Sequence, residues 1–335
     1  MRVRWYAVQM IALVVVLFSG VASAQSDPTS QVLSQFFSVS TPGARANGMG
    51  RAFVGVADDA SAAITNPAGL MFLTRPQVYF EFKSSGYDLT VTGAEENAIK
   101  SLRARLPYFA VSMPINDRVA VAFSRHEFFG ADIVFPTIAV EQHIRGTSYS
   151  GSVATTIVPS LKIGVTLSGG NLSGEGNSPD DTFSDTEFGF TAGGLWQATP
   201  QVSIGVSGTT WTGSGSGDTF VAPNQFKFGV GITPKPQFKV AVDVVRVLYP
   251  SDFTDDATEF HIGGEYQIMS GGSHRFFVRT GLYTGKEGEL TFPLPPLKTT
   301  TTGTFGFGAV IGQQLQVDLA VLTRKELVVS AAYRF

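Results

Sequence analysis

Residues 43–70 read GARANGMGRAFVGVADDASAAITNPAGL and follow neither a helical nor a strand period. Gly43, Gly48, Gly50 and Gly55 carry no side chain, Asp58-Asp59 and Asn66-Pro67 are turn signals, and alanines fill much of the remainder. Such a stretch is dense in backbone and can lie directly against other backbone. Its surroundings suggest where: an export signal precedes it, and a long series of alternating β segments follows. If those segments close into a barrel, the natural place for the stretch is inside.

Upstream, residues 1–24 have the three parts of a secretory signal. Arg2 and Arg4 come first, then an apolar core from Ile11 to Phe18, then Ala22-Ser23-Ala24 ahead of Gln25. The core is short for a membrane helix, and no later stretch approaches the ~20 apolar residues that a spanning helix needs. Charged residues make up only 15% of the chain, while 37 glycines and 27 phenylalanines point to tightly paired β structure with a large aromatic surface. Absence of cysteine excludes disulfides and thiolate sites, and a net charge of −3 with no basic stripe excludes a nucleic-acid partner.

Downstream, from Pro76 on, apolar residues alternate with small or polar ones. Phe226, Phe228, Val230 and Ile232 share one strand face, opposite Lys227, Gly229 and Gly231; Leu161 to Leu167 and Leu315 to Val321 divide in the same way. Alternation suits a soluble sandwich, with its apolar face inward, as well as a membrane barrel, with that face toward lipid. Connector lengths separate the two. Short turns at residues 115–118, 158–160, 198–201, 233–237, 269–273 and 312–314 alternate with longer stretches near 86–105, 128–146, 169–184, 213–223, 250–258 and 285–299. This is the rhythm of an outer-membrane barrel with tight periplasmic turns and long external loops, and it gives about fourteen strands. The expected architecture is therefore all-β: a transmembrane antiparallel barrel over residues 76–335, a lumenal hatch over residues 25–75 and a signal peptide over residues 1–24. The last strand puts Leu327, Val329, Ala331, Tyr333 and Phe335 on one face, and its terminal aromatic is similar to the assembly signal of bacterial outer-membrane proteins. Among charges on the expected lipid face only Arg246 stands out, to be accommodated by a bulge or by snorkelling at the outer interface.

The run Gly48-Met49-Gly50-Arg51-Ala52-Phe53, then Asp58-Asp59-Ala60 and Asn66-Pro67-Ala68, resembles the hatch of FadL-type outer-membrane transporters of long-chain fatty acids and other hydrophobic compounds. Arg75-Pro76 and Pro114-Ile115-Asn116-Asp117 are also similar to that family. The resemblance implies a fourteen-stranded barrel in the bacterial outer membrane, passive uptake of a hydrophobic ligand and a hatch that rearranges to admit it. Two departures stand out: the external loops that carry the family's capture site are reduced, and the third strand, read as residues 118–127, lacks a glycine where the family has a kink. Pro42-Gly43-Ala44-Arg45 with Gly48-Met49-Gly50 also resembles the PorV/PorQ branch, which implies a secretion-system partner instead.

Candidate residues follow. The hatch motif is Gly48, Gly50, Arg51, Asp58, Asp59, Asn66, Pro67 and Ala68. On the lumen face, Lys227, Glu265 and Arg279 are candidates for a ligand carboxylate or for ion pairs that anchor the hatch. Phe128, Phe129 and Phe135 in one external loop, with Leu290, Phe292 and Leu294 in another, are candidates for apolar capture. Outer-membrane lipid and lipopolysaccharide are the expected surroundings. Gly48-Met49-Gly50 lacks the strand and third small residue of a dinucleotide loop, the four histidines lack metal-ligand spacing, and no nucleophile–base set is evident, so no enzyme, cofactor or metal is expected.

Overall fold

The computed structural model describes residues 41–85, 105–135, 140–176, 182–213, 222–249, 256–271, 274–287, 298–323 and 326–335. The first of these segments opens with two short helices, α1 (Ala44–Gly48) and α2 (Ala62–Thr65), and a 3₁₀ segment, Pro67–Phe72. Fourteen strands follow. They are β1 (Gln77–Ser85), β2 (Arg105–Asn116), β3 (Val119–Phe135), β4 (Val140–Val158), β5 (Leu161–Gly176), β6 (Phe183–Thr199) and β7 (Val202–Gly213), then β8 (Asn224–Lys235), β9 (Phe238–Leu248), β10 (Ala257–Gly271), β11 (His274–Glu287), β12 (Lys298–Ile311), β13 (Leu315–Leu322) and β14 (Glu326–Arg334). Each pairs antiparallel with its chain neighbours, and β1 closes the barrel on β14, in register from Gln77↔Arg334 to Ser85↔Glu326. Closure leaves no unpaired edge, which a sheet in hydrocarbon requires. No helix among the described residues is long and apolar enough to cross a membrane.

The alternation resolves inside-out relative to a soluble domain. Leu167, Phe188 and Phe260 point outward and are 65%, 57% and 57% exposed, whereas Glu187 and Asp243 on the opposite parity are fully buried. Lys227, Gly229 and Gly231 face inward on β8, as do Gln316 and Asp318 on β13, and Leu327, Tyr333 and Phe335 face outward. The turns of the periplasmic rim fall where the sequence places them: β2 ends at Asn116 and β3 begins at Val119, and β12 ends at Ile311 before β13 at Leu315.

The other rim departs from expectation. Residues 128–146 and 169–184, read as loops, are largely strand: β3 runs on to Phe135, β4 starts at Val140, β5 runs to Gly176 and β6 starts at Phe183. These strands of 16 to 19 residues exceed the ~9–11 that cross a bilayer. Their glycines read as loop signals, yet they make room for rings. A side chain at Gly146 would strike Phe128, and one at Gly189 would strike Trp211. The third strand accordingly contains Gly130, and its pairing with β4 shifts register between Glu127 and Phe129.

Arg246 needs no bulge. Register is continuous through it on both sides, and it faces outward near the external end of β9, bound to Asp256 (2.8 Å) and Thr258 (3.1 Å). It is not the sole charge there, because Arg125 and Glu127 share the outward parity of β3. Arg125 donates to the Leu106 carbonyl at 2.7 Å and lies 3.3 Å from Glu127, so the pair reaches the lipid-facing surface internally satisfied.

Candidate functional site

Residues 41–73 fill the lower lumen, on the side of the short turns. Their alanines and the Met49, Phe53 and Leu70 side chains form a core with Ala120, Ala122, Ala154, Leu195 and Ala241 of the wall. Small faces small, and backbone comes against backbone. Gly50 has φ 59° and sits over Gly263 and Gly281, where a Cβ on any of the three would penetrate the opposite main chain. Further round, Val54 and Gly55 lie on Gly205 and Gly229 in the same way. The glycine-rich lumen face is thus the imprint of a segment pressed against it.

Charges lock the contact. Arg45 places Nε and one terminal nitrogen on Glu265 at 2.8 and 3.0 Å and also binds Asp58, which Lys239 holds from the wall at 3.0 Å. Arg279 bridges Glu265 (2.7 Å) and Asp318 (2.8 Å), and Gln316 (2.7 Å) with Arg334 (2.5 Å) extends the chain of contacts. Burial alone would push Asp58 up, but the Arg45 and Lys239 charges hold it down to about 2. Burial does win at Asp59, which is raised despite Arg45 and the two bonds from Ser61. Elsewhere Asp243 accepts the Phe53 and Val54 N–H groups at 2.6 and 2.8 Å, and Glu81 accepts that of Gly43. Asn66 donates to the carbonyls of Val54 and Gly194 and caps the 3₁₀ segment through Ala68 N, with Pro67 at its first position. Arg51 lies over the Tyr283 ring at 4.1 Å in a left-handed conformation, φ 64°.

Above this segment, toward the long-strand rim, a cavity of about 60 Å³ separates it from the wall of β3 to β8. Thr41, Pro42, Ile64 and Thr65 form its floor, Phe128 and Trp211 its apolar upper wall, and His126, Gln225 and Lys227 its polar side. Phe128 and Trp211 lie with ring centroids 5.8 Å apart. Beside them hydroxyls pair across strands: Ser150 with Ser168 and Ser152 with Thr166, each 2.8 Å, and Thr191 with Thr209 at 3.0 Å. A smaller void beneath is lined by Arg51, Lys227, Glu259 and His261.

The structure sorts the sequence candidates. Gly48, Gly50, Asp58, Asp59, Asn66, Pro67 and Ala68 all lie in the lumenal segment or its contacts with the wall, and Glu265 and Arg279 are consumed by its anchorage. Of the three lumen candidates only Lys227 lines the cavity. Phe128 is not on an external loop: it belongs to β3 and its ring turns into the lumen. The reason is that pairing with β4 continues past the bilayer. Phe129 and Phe135 lie on the same strand, their side chains outside the described set, and Leu290, Phe292 and Leu294 lie outside the described residues. Trp211 escaped the sequence reading and His126 entered it only as a histidine without metal-ligand spacing, although each carried a signal: a large ring on a strand face otherwise made of small residues, as in Ser203, Gly205, Ser207, Thr209 and Trp211 of β7.

No family model matches the chain, and no curated protein matches it in sequence. Solved structures do match. The toluene transporter TbuX of Ralstonia pickettii superposes with a TM-score of 0.69 at 16% identity, covering 89% of this chain and 100% of that one. The Pseudomonas putida toluene transporter TodX gives 0.68 at 15% over 90% and 100%, and a Pseudomonas aeruginosa FadL homologue 0.61 at 15% over 86% and 98%. At such identities the likeness is one of fold: this chain shares the barrel fold of those structures.

Proposed function

We propose that this FadL-type outer-membrane barrel is a passive channel for hydrophobic small molecules, which enter the lumen from outside and pass residues 25–75 when that hatch rearranges locally. The observation that carries the reading is the cavity above the lumenal segment, with Phe128 and Trp211 on one wall and the segment itself as floor. Passive movement accords with a barrel that presents no nucleotide motif in its sequence. Long-chain fatty acids are the class the hatch motif suggests, but the small cavity favours compact bodies. An engineered cavity of ~150 Å³ accepts one benzene ring, so about 60 Å³ asks for a modest swing of side chains to admit a ring and for much more to admit an acyl chain. The dense anchorage of residues 43–59 on β8 to β12 favours a rearrangement away from that sector and nearer the floor residues Thr41, Ile64 and Thr65. Residues 1–24 act as the removed signal.

Cells with and without the protein, given labelled toluene and a labelled long-chain fatty acid, provide the test. Faster uptake of at least one by the expressing cells is expected. Unchanged uptake of both, with an exported protein co-purifying, would replace this reading by the secretion or surface-attachment role.

A further inference from the structure

We propose that the lumenal cavity selects a compact aromatic carboxylate, a single ring bearing one acidic group, with Lys227 as the residue that receives the carboxylate. The inference rests on the proposal above that ligands enter the lumen, and it narrows their chemistry. Lys227 projects inward from β8 and lines both the main cavity and the smaller void below it. Among the described residues its ammonium makes no hydrogen bond and no ion pair. Other lumenal cations differ: Arg45, Lys83, Lys239 and Arg279 each have a carboxylate oxygen within 3.4 Å.

Two carboxylates stand near Lys227 along the wall, and neither forms an ion pair with it. Asp243, diagonal to it across the β8–β9 pair, spends Oδ2 on the Phe53 and Val54 N–H groups, and its Oδ1 is buried with no hydrogen bond to Lys227 or any other described group. Glu259, beyond β9 at the same height, lies 3.2 Å from His261. A second polar group points to the same demand, since the Thr65 hydroxyl is buried on the cavity floor with no hydrogen-bond partner. An ammonium in a lumen needs an acceptor, and leaving it dry is costly. A carboxylate there would be held by a charge-assisted bond from Lys227 and a neutral one from Thr65.

The body of the ligand is set by the opposite wall. Phe128 and Trp211 offer ring faces and edges, and the volume limits the guest to about one ring once those side chains adjust. A neutral arene would fill the apolar part yet leave Lys227 desolvated and unanswered. Sites built around a buried polar group reject an analogue that cannot pair with it far more strongly than sites distinguish sizes.

The test uses the purified full barrel in detergent micelles and equilibrium dialysis of 4-ethylbenzoate and ethylbenzene against wild type, Lys227→Met and Lys227→Arg. Partition into micelles cancels when variants are compared for one ligand. Wild type is expected to bind 4-ethylbenzoate, Lys227→Met to weaken that binding by about tenfold or more with ethylbenzene unaffected, and Lys227→Arg to retain it. Unchanged 4-ethylbenzoate binding by Lys227→Met, an equal loss of both ligands, or binding of ethylbenzene without 4-ethylbenzoate by wild type overturns the proposal and leaves the channel reading standing. Failure of wild type to bind either compound overturns it too, while the uptake measurement above decides the channel reading. The wild-type comparison needs no variant, so a misfolded Lys227→Met does not rescue the idea.

Discussion

Asp58 and Asp59 are adjacent in sequence and opposite in electrostatics. Asp58 keeps 31% of its side chain exposed but answers two cations, so its folded carboxyl lies at about 2, below the ~3.9 of an unfolded aspartate. A depressed carboxyl contributes stability above the unfolded value and loses it as pH falls toward the folded one. Asp59, raised by burial, works the other way: its charge opposes folding at neutral pH, and acid relieves it. Thermal unfolding of the purified barrel should therefore show Asp58→Asn less stable than wild type at pH 7, with the gap closing toward pH 2; a gap that stays constant with pH would contradict the assignment. Neither shift was legible in the sequence. The motif shows two acids in a turn, and only the fold reveals that Arg45 and Lys239 converge on the first of them.

At the level of elements, the reading was accurate wherever a physical rule acts locally. Period-two alternation located the lipid faces of β8, β13 and β14, and Pro, Asn, Asp and Gly located the short turns. It failed where pairing outlasts the bilayer. In β3 to β6, glycines and polar residues that suit a loop are equally suited to strands that stand in water, and only cross-strand packing decides. Gly146 and Gly189 are glycine because Phe128 and Trp211 occupy the space beside them, a fact of tertiary structure. The same logic separates two glycines that look alike on paper. A Cβ at Gly281 of β11 would meet the Met49–Gly50 main chain, whereas one at Gly151 of β4 meets nothing within 4 Å and faces outward. Gly281→Val should lift the lumenal segment and make cells more permeable to a hydrophilic antibiotic, while Gly151→Val leaves permeability as it was. Equal permeability of the two variants would show that the segment does not rest on β11.

The whole molecule is a wall of fourteen strands whose lumen is wide enough to conduct water and ions unless filled. Residues 41–73 occupy the lower part, held by glycine contacts, by carboxylates on N–H groups and by the Arg45–Glu265–Arg279–Asp318 chain, with the Phe128–Trp211 cavity above them. The barrel and the existence of the plug could be read from residue patterns. The cavity could not, since it is assembled from six strands, helix α2 and the residues ahead of α1, which no spacing connects. The account thus requires a barrel closed to hydrophilic traffic that becomes open once the segment is gone. Conductance in planar bilayers, measured for the mature chain and for the same chain lacking residues 25–75, addresses this directly. The intact protein should show no stable open pore and the shortened one a persistent, ion-conducting channel. Equal conductance of the two would contradict a lumen sealed by this segment.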